Sequence, residues 1–196
     1  MRLFGKVFSI YVGVFFLLLS VLMIPIVAGD MKPYFERSEQ VSAEPVSSLA
    51  ELGDPRLSEI VYSYVPSAGL ITTIYVIRYQ EAHNNVGGKC SGVAKEVIYI
   101  YADQPMDWFM TRTVTTASGD QIFQELSGIA FPVDVSDPGS DLMIQGQWEI
   151  TGGNGRFDGS FGLGQLDGFA DSTGALYVSA ILKGTMSTVG SLKRMK

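Results

Sequence analysis

The chain has 196 residues, with 14 Lys plus Arg against 20 Asp plus Glu and a formal net charge of −6. Its length fits one domain, and its 46% hydrophobic and 17% charged residues exclude a wholly disordered chain. The acidic balance excludes a protein that tracks phosphates through clustered Lys and Arg, so no nucleic-acid partner is expected.

One cysteine, Cys90, and one histidine, His83, are present. No intrachain disulfide and no two-histidine metal site can be built from them. No metal and no cofactor are implied.

The N-terminus carries Arg2 and Lys6, then 23 uncharged residues from Val7 to Gly29. As a helix this run would reach about 34 Å, enough to cross a bilayer core. Two readings of residues 1–29 stay open. One is a signal peptide cut after the small residues Val27-Ala28-Gly29, and the other is an uncleaved transmembrane anchor. Both place Arg2 and Lys6 on the cytoplasmic side and export everything that follows.

Residues 30–58 read as a linker. They hold Pro33, Pro45 and Pro55 with Ser, Glu and Ala between, and no sustained periodicity. From residue 59 to 190 the texture is all-β, with short β-branched and aromatic runs between turn clusters. The expected strands are Glu59–Val65, Leu70–Gln80, Lys95–Ala102, Phe109–Ala117, Gln121–Phe131, Leu142–Thr151, Arg156–Phe169 and Ala175–Ser187. Turn residues separate them at Pro66–Gly69, Ala117–Asp120, Asp137–Ser140 and Asp171–Gly174. Eight strands joined by short turns suggest an antiparallel barrel, whose closure removes exposed edges. Residues 191–196 form a basic tail.

The most distinctive segment runs from Ile150 through Gly168. Its glycines match neither a phosphate-binding loop, for which the lysine is missing, nor a dinucleotide fingerprint, for which the spacing differs. Gly152, Gly153 and Gly155 suit a tight bend, and Phe157 would plug the core just after it. Gly159, Gly162, Gly164 and Gly168 suit a strand that another backbone approaches closely. The pattern G-G-x-G-x-F-x-G-x-x-G is met by Gly152, Gly153, Gly155, Phe157, Gly159 and Gly162. It resembles that of allene oxide cyclases, dirigent proteins and exported bacterial barrels of the same type. The resemblance implies an eight-stranded antiparallel barrel with a cavity, assembled as dimers or trimers. It transfers no catalytic residue.

Alternation places Tyr62 with Tyr64, Tyr75 with Tyr79 and Tyr99 with Tyr101 on shared strand faces, while the opposite faces are also apolar. The surplus apolar face would meet ordinary packing, a partner subunit or a ligand. These six tyrosines are the candidate pocket for a small apolar molecule.

Other constellations are weaker. His83 and Cys90 fall in one expected loop and could form a nucleophile pair. Asp134, Asp137 and Asp141 could hold calcium but match no known loop. Arg78 and Arg112 lie in expected strands near Glu81, Glu96 and Asp107, and Arg156 follows the glycine turn. Turned inward, such an Arg paired with a carboxylate could recognise the acid group of a ligand; pairing across strands on the outside is the expected arrangement. Glu125 and Glu149 would be general acids only if buried.

The expected function is binding of a small apolar ligand outside the cytoplasm, or an oligomeric scaffold. An isomerase or cyclase acting on a lipid-like substrate, and an envelope protein with a filled barrel, are the alternatives. A carrier implies a cavity of roughly 300 Å³ or more.

Overall fold

The computed structural model describes residues 31–137, 139–171 and 178–187. The expected N-terminal helix over 1–29 and the basic tail over 191–196 lie outside them. The strands are β1 (Met31–Val46), β2 (Leu70–Asn84), β3 (Gly88–Tyr101), β4 (Met106–Thr116), β5 (Gln121–Pro132), β6 (Leu142–Asn154), β7 (Gly162–Ala170) and β8 (Val178–Ser187). Two short helices, α1 (Leu49–Leu52) and α2 (Pro55–Ser63), join β1 to β2. Each strand pairs antiparallel with the next in sequence, and β8 pairs with β1, so the sheet closes into a barrel.

Seven of the eight strands stand near their expected positions, and the first does not. Residues 31–46, read above as part of a linker, are β1. Residues 59–65, read as a strand, begin inside α2 and end beyond it. The reason is an inverted pattern. β1 turns Tyr34, Glu36, Ser38 and Gln40 inward and leaves Phe35 and Val41 exposed. A strand whose inward face is polar escapes a search for alternating apolar residues. Its two prolines fall near its ends, where a missing N–H costs the ladder least.

Two other boundaries shift. The expected strand from Arg156 begins only at Gly162, because Gly155–Phe157 is a 3-10 turn. The expected loop around His83 and Cys90 is instead the tip of a long β2–β3 hairpin.

Two apolar cores result. The larger fills the barrel, with Trp108, Val114, Ile122, Leu126, Trp148 and Ile150 among its buried members. The smaller lies outside the barrel wall. There Leu52 and Leu57 of the helical segment cover Val97, Tyr99 and Tyr101 of β3. Asp54 sets this segment in place. Its carboxylate accepts from the backbone N–H groups of Arg56 and Leu57 at the α2 N-terminus, and from the Thr111 hydroxyl of β4.

Burial pushes the Asp54 carboxyl up, but those hydrogen bonds outweigh it and leave it below its ordinary value. The stability it contributes is therefore present above the unfolded value of 3.8 and is lost as pH falls through the lower folded value. Asp54→Ala should cost about 1–2 kcal/mol in denaturant unfolding. The variant's deficit should shrink in the acid, where the wild-type carboxylate is also neutralised. A deficit unchanged down to acid pH would contradict this account.

Glycines let the barrel close tightly around its two tryptophans. A Cβ on Gly146 would stand 2.7 Å from the Trp108 ring. One on Gly164 would stand 2.1 Å from the Lys183 carbonyl oxygen and 2.6 Å from Trp148, and one on Gly184 2.7 Å from Trp148. Small residues facing large ones is how a narrow barrel fills its bore. Gly164→Ala must move backbone rather than a flexible side chain. We expect a loss of about 3 kcal/mol in urea denaturation, while Gly139→Ala, in an exposed turn, should change little.

Candidate functional site

The barrel has two unlike ends. At one end, the β2–β3 and β4–β5 hairpin tips and the glycine-rich turn close the bore. Phe157 is fully buried there with Val114, Ile122, Ile150 and Met186. The turn depends on its glycines. Gly155 and Gly159 have φ of 61° and 72°, and a Cβ on Gly155 would meet the Asp120 carboxylate at 2.0 Å. Gly153 and Gly162 are held by close backbone approach, to Gln121 and Thr185 respectively, and Gly152 pairs with Phe123. The glycine motif therefore shapes the plugged end.

Toward the other end the bore holds a cavity of about 150 Å³. Its walls are Ile74, Ile98 and Ile100, Met106, Trp108 and Met110, Leu126, Leu142, Ile144, Leu166 and Leu182. Met106, Leu142 and Val178 begin their strands and Ala170 ends its own, so the lining reaches the rim. The volume is half the 300 Å³ expected for a carrier. It suits a molecule of about benzene's size.

Ser38, Arg78, Gln80, Glu96 and Arg112 supply the polar part of the lining. They belong to two buried clusters. In the first, Arg78 donates through Nε to the Glu96 carboxylate and through Nη1 to Gln40. In the second, Arg112 donates through Nη1 to Glu36 and, at 3.3 Å, to the Gln124 side-chain oxygen. The Tyr34 hydroxyl donates to the other Glu36 oxygen, and Gln124 donates to the Tyr34 oxygen at 3.4 Å. Burial, reinforced by the neighbouring Glu36 charge, pushes the Tyr34 phenol well above its ordinary range, so it stays a donor. Glu36 and the Arg112 side chain have at most 1% exposure, which makes this a fully desolvated ion pair.

This overturns the expectation that Arg78 and Arg112 pair outside. Both point into the bore and pair with Glu96 and Glu36. Arg156 alone lies outside, against Asp120 at 3.3 Å.

The six tyrosines are likewise corrected: none lines the cavity. Tyr62 lies on α2 and is 82% exposed. Tyr79 is exposed on the outer wall of β2. Tyr64, Tyr75, Tyr99 and Tyr101 pack in the outer core under the helical segment. Tyr64 meets Tyr99 and Phe109 at ring distances of 5.0 and 4.8 Å and hydrogen-bonds Tyr101 and Asp107. Burial, with the hydrogen bond to Asp107, drives its phenol far above the ordinary range. The surplus apolar face is thus covered by the chain's own helices over part of its area.

The remaining candidates separate. His83 faces outward and Cys90 inward from paired strands, so they cannot act as a nucleophile pair. Burial pushes the Cys90 thiol up, away from the reactive thiolate. Asp134 and Asp137 serve their own turn, accepting from the Ser136 and Gly139 backbone N–H groups. Among the described residues no cluster of three or more His, Cys, Asp or Glu side chains could hold a metal. Glu149 is exposed on the outer wall, and Glu125 sits 3.9 Å from Arg56. Burial raises the Glu125 carboxyl, but it faces away from the cavity.

Sequence reasoning missed Tyr34, Glu36, Gln40 and Gln124 altogether. The one available signal was the alternation of polar and aromatic residues from Tyr34 to Gln40, read as linker. The site defines a closed antiparallel barrel with an apolar bore over an ion-paired floor. Comparisons with family models, curated proteins and solved structures give no match.

Proposed function

We propose that the barrel binds a small, largely apolar molecule in its bore. The observation that carries this reading is the cavity of about 150 Å³. Aliphatic, sulfur and indole side chains wall it, and a charged but internally neutralised floor closes it. A barrel selected only for stability would fill that space, because an unfilled bore forfeits packing contacts. The resemblance to the allene oxide cyclase and dirigent group adds to this reading, since it implies a barrel with a cavity. The uncharged run from Val7 to Gly29 adds the proposal that binding takes place outside the cytoplasm, tethered or released. Exposed Phe35, Val93 and Ile181 on the outer wall fit a homo-oligomer.

The test uses ligand-observed NMR with toluene and the full chain. We expect binding, and we expect Ala180→Phe, which places a ring in the bore, to abolish it while the barrel stays folded. A wild-type chain that leaves toluene unperturbed at millimolar concentration would overturn the reading.

Glu96 favours one second reading. Its carboxylate lies on the cavity wall, 6% exposed. A substrate small enough for the cavity would place a proton within its reach, as an isomerase or cyclase needs. Turnover lost in Glu96→Gln with ligand binding retained would move the assignment to that enzyme.

A further inference from the structure

The charged groups on the cavity wall differ in what they have left to offer a ligand. Glu96 accepts from Arg78 Nε through one carboxylate oxygen, Oε2. Its other oxygen, Oε1, takes no hydrogen bond from a described residue. Four side-chain atoms of the described residues are both sealed and without a partner: Gln80 Oε1, Trp108 Nε1, and Nε and Nη2 of Arg112. Glu96 Oε1 is not among them, so it is unpartnered and yet keeps accessible surface. Alternation along β3 turns Ala94, Glu96 and Ile98 into the bore. Glu96 lines the cavity there and is 6% exposed, so its free oxygen faces the space a ligand would fill.

The side chains beside Glu96 do not use that oxygen. Across the ladder it stands opposite Val76 of β2 and Met110 of β4, and Ile98 follows it on the same face. All three are apolar. A carboxylate accepts and never donates, so the partner that fits Oε1 is a donor. A hydrogen bond to a charged acceptor in such surroundings is roughly twice as strong as one between neutral groups. The Ser38 hydroxyl and the Gln80 amide, the neutral polar groups of the wall, can donate to a ligand oxygen, but each offers only the weaker neutral bond.

Charge narrows the class of donor. Within the bore Arg78 and Arg112 are matched by Glu96 and Glu36. A ligand ammonium would add a buried positive charge with no counter-charge, and a ligand carboxylate would face the free oxygen of Glu96. Both are expensive. A hydroxyl brings a donor without a charge.

We infer that the ligand is a small neutral alcohol, whose hydroxyl donates to Oε1 of Glu96 while its apolar body lies among Ile74, Ile98, Trp108 and Met110. This rests on the reading that the bore binds a small apolar molecule, and it adds the chemistry of the ligand's polar end.

The test compares three six-membered rings of nearly equal size on the full chain by titration calorimetry: cyclohexanol, cyclohexanone and cyclohexylammonium. Toluene serves as the apolar reference. Cyclohexanol should bind about tenfold tighter than cyclohexanone, as one added hydrogen bond to a charged acceptor requires. Cyclohexylammonium should bind more weakly than cyclohexanol. The Glu96 side-chain carboxyl signal in a carbon NMR spectrum should move with cyclohexanol and stay in place with toluene. Glu96→Gln keeps an oxygen for Arg78 but loses the charge and gains an N–H donor. It should bring cyclohexanol and cyclohexanone to within about twofold of each other.

Cyclohexanone binding as tightly as cyclohexanol, or neither binding where toluene does, would overturn this inference and leave bore binding standing. A cyclohexanol preference with the Glu96 signal unmoved would overturn the role of Glu96. Cyclohexylammonium binding tightest would overturn the neutrality of the ligand. A failure of toluene and all three rings to bind would remove the bore-binding reading itself. The probe series and the carboxyl signal of the unmodified chain decide even if the glutamine variant does not fold.

Discussion

Arg112→Met should destabilise the barrel by about 3–5 kcal/mol. The pair it breaks is fully desolvated: Glu36 and the Arg112 side chain have 0% and 1% exposure. Without the guanidinium, Glu36 keeps only the Tyr34 hydroxyl as a donor among the described residues. A carboxylate left charged in the bore carries an uncompensated desolvation penalty. The double variant Glu36→Gln/Arg112→Met removes both charges while Gln can still accept from Tyr34. We expect it to recover at least half of the loss, because a buried pair is worth less than the cost of breaking it. Urea denaturation of the wild type, both single variants and the double variant measures this as a cycle. A single-variant loss below about 1 kcal/mol would show that solvent reaches the pair.

A chain that begins at residue 47 should not form the barrel. That deletion removes β1, which pairs with β2 over Glu36–Val46 and with β8 over Met31–Glu39. Both neighbouring strands would become edges, and an open edge invites pairing with other chains. The deletion also takes Glu36 from Arg112 and Gln40 from Arg78, leaving the bore with a surplus of buried positive charge. Circular dichroism should show loss of cooperative unfolding, and size exclusion should show aggregates. A chain beginning at Met31 should keep both the transition and its midpoint. A folded monomer from residue 47 onward would mean that β1 is dispensable, as a linker would be.

The two predictions meet at the segment that sequence reading treated as a tether. The strands from Leu70 onward were legible because a half-buried strand writes its own period-two pattern, and Gly69, Gly88 and Gly119 mark turns with positive φ. β1 writes that pattern in reverse. Its inward residues, Tyr34, Glu36, Ser38 and Gln40, are tolerable in a core only because partners arrive from elsewhere. Those partners lie far off in sequence: Arg112 is 76 residues from Glu36, and Arg78 is 38 from Gln40. Nothing local distinguishes such a strand from a polar linker.

The same separation explains the tyrosines. Their alternation correctly marks a surplus apolar face on the strands that became β2 and β3, but which side of a sheet becomes the bore is a property of closure. The chain's own helices then cover part of the outer face, with Leu52 and Leu57 completely buried against it.

What the sequence determined by itself is the all-β class, the approximate positions of seven of the eight strands and the glycine turn with Phe157 at its end. These follow from local patterns: alternation, turn chemistry and the positions where a Cβ cannot fit. The tertiary structure alone decided that 31–46 is a strand, that the six candidate tyrosines lie outside the cavity, and that Glu36, Arg78, Glu96 and Arg112 are buried as ion pairs in the bore. A buried charge is stable only beside its counter-charge, and that proximity exists only once the sheet has closed.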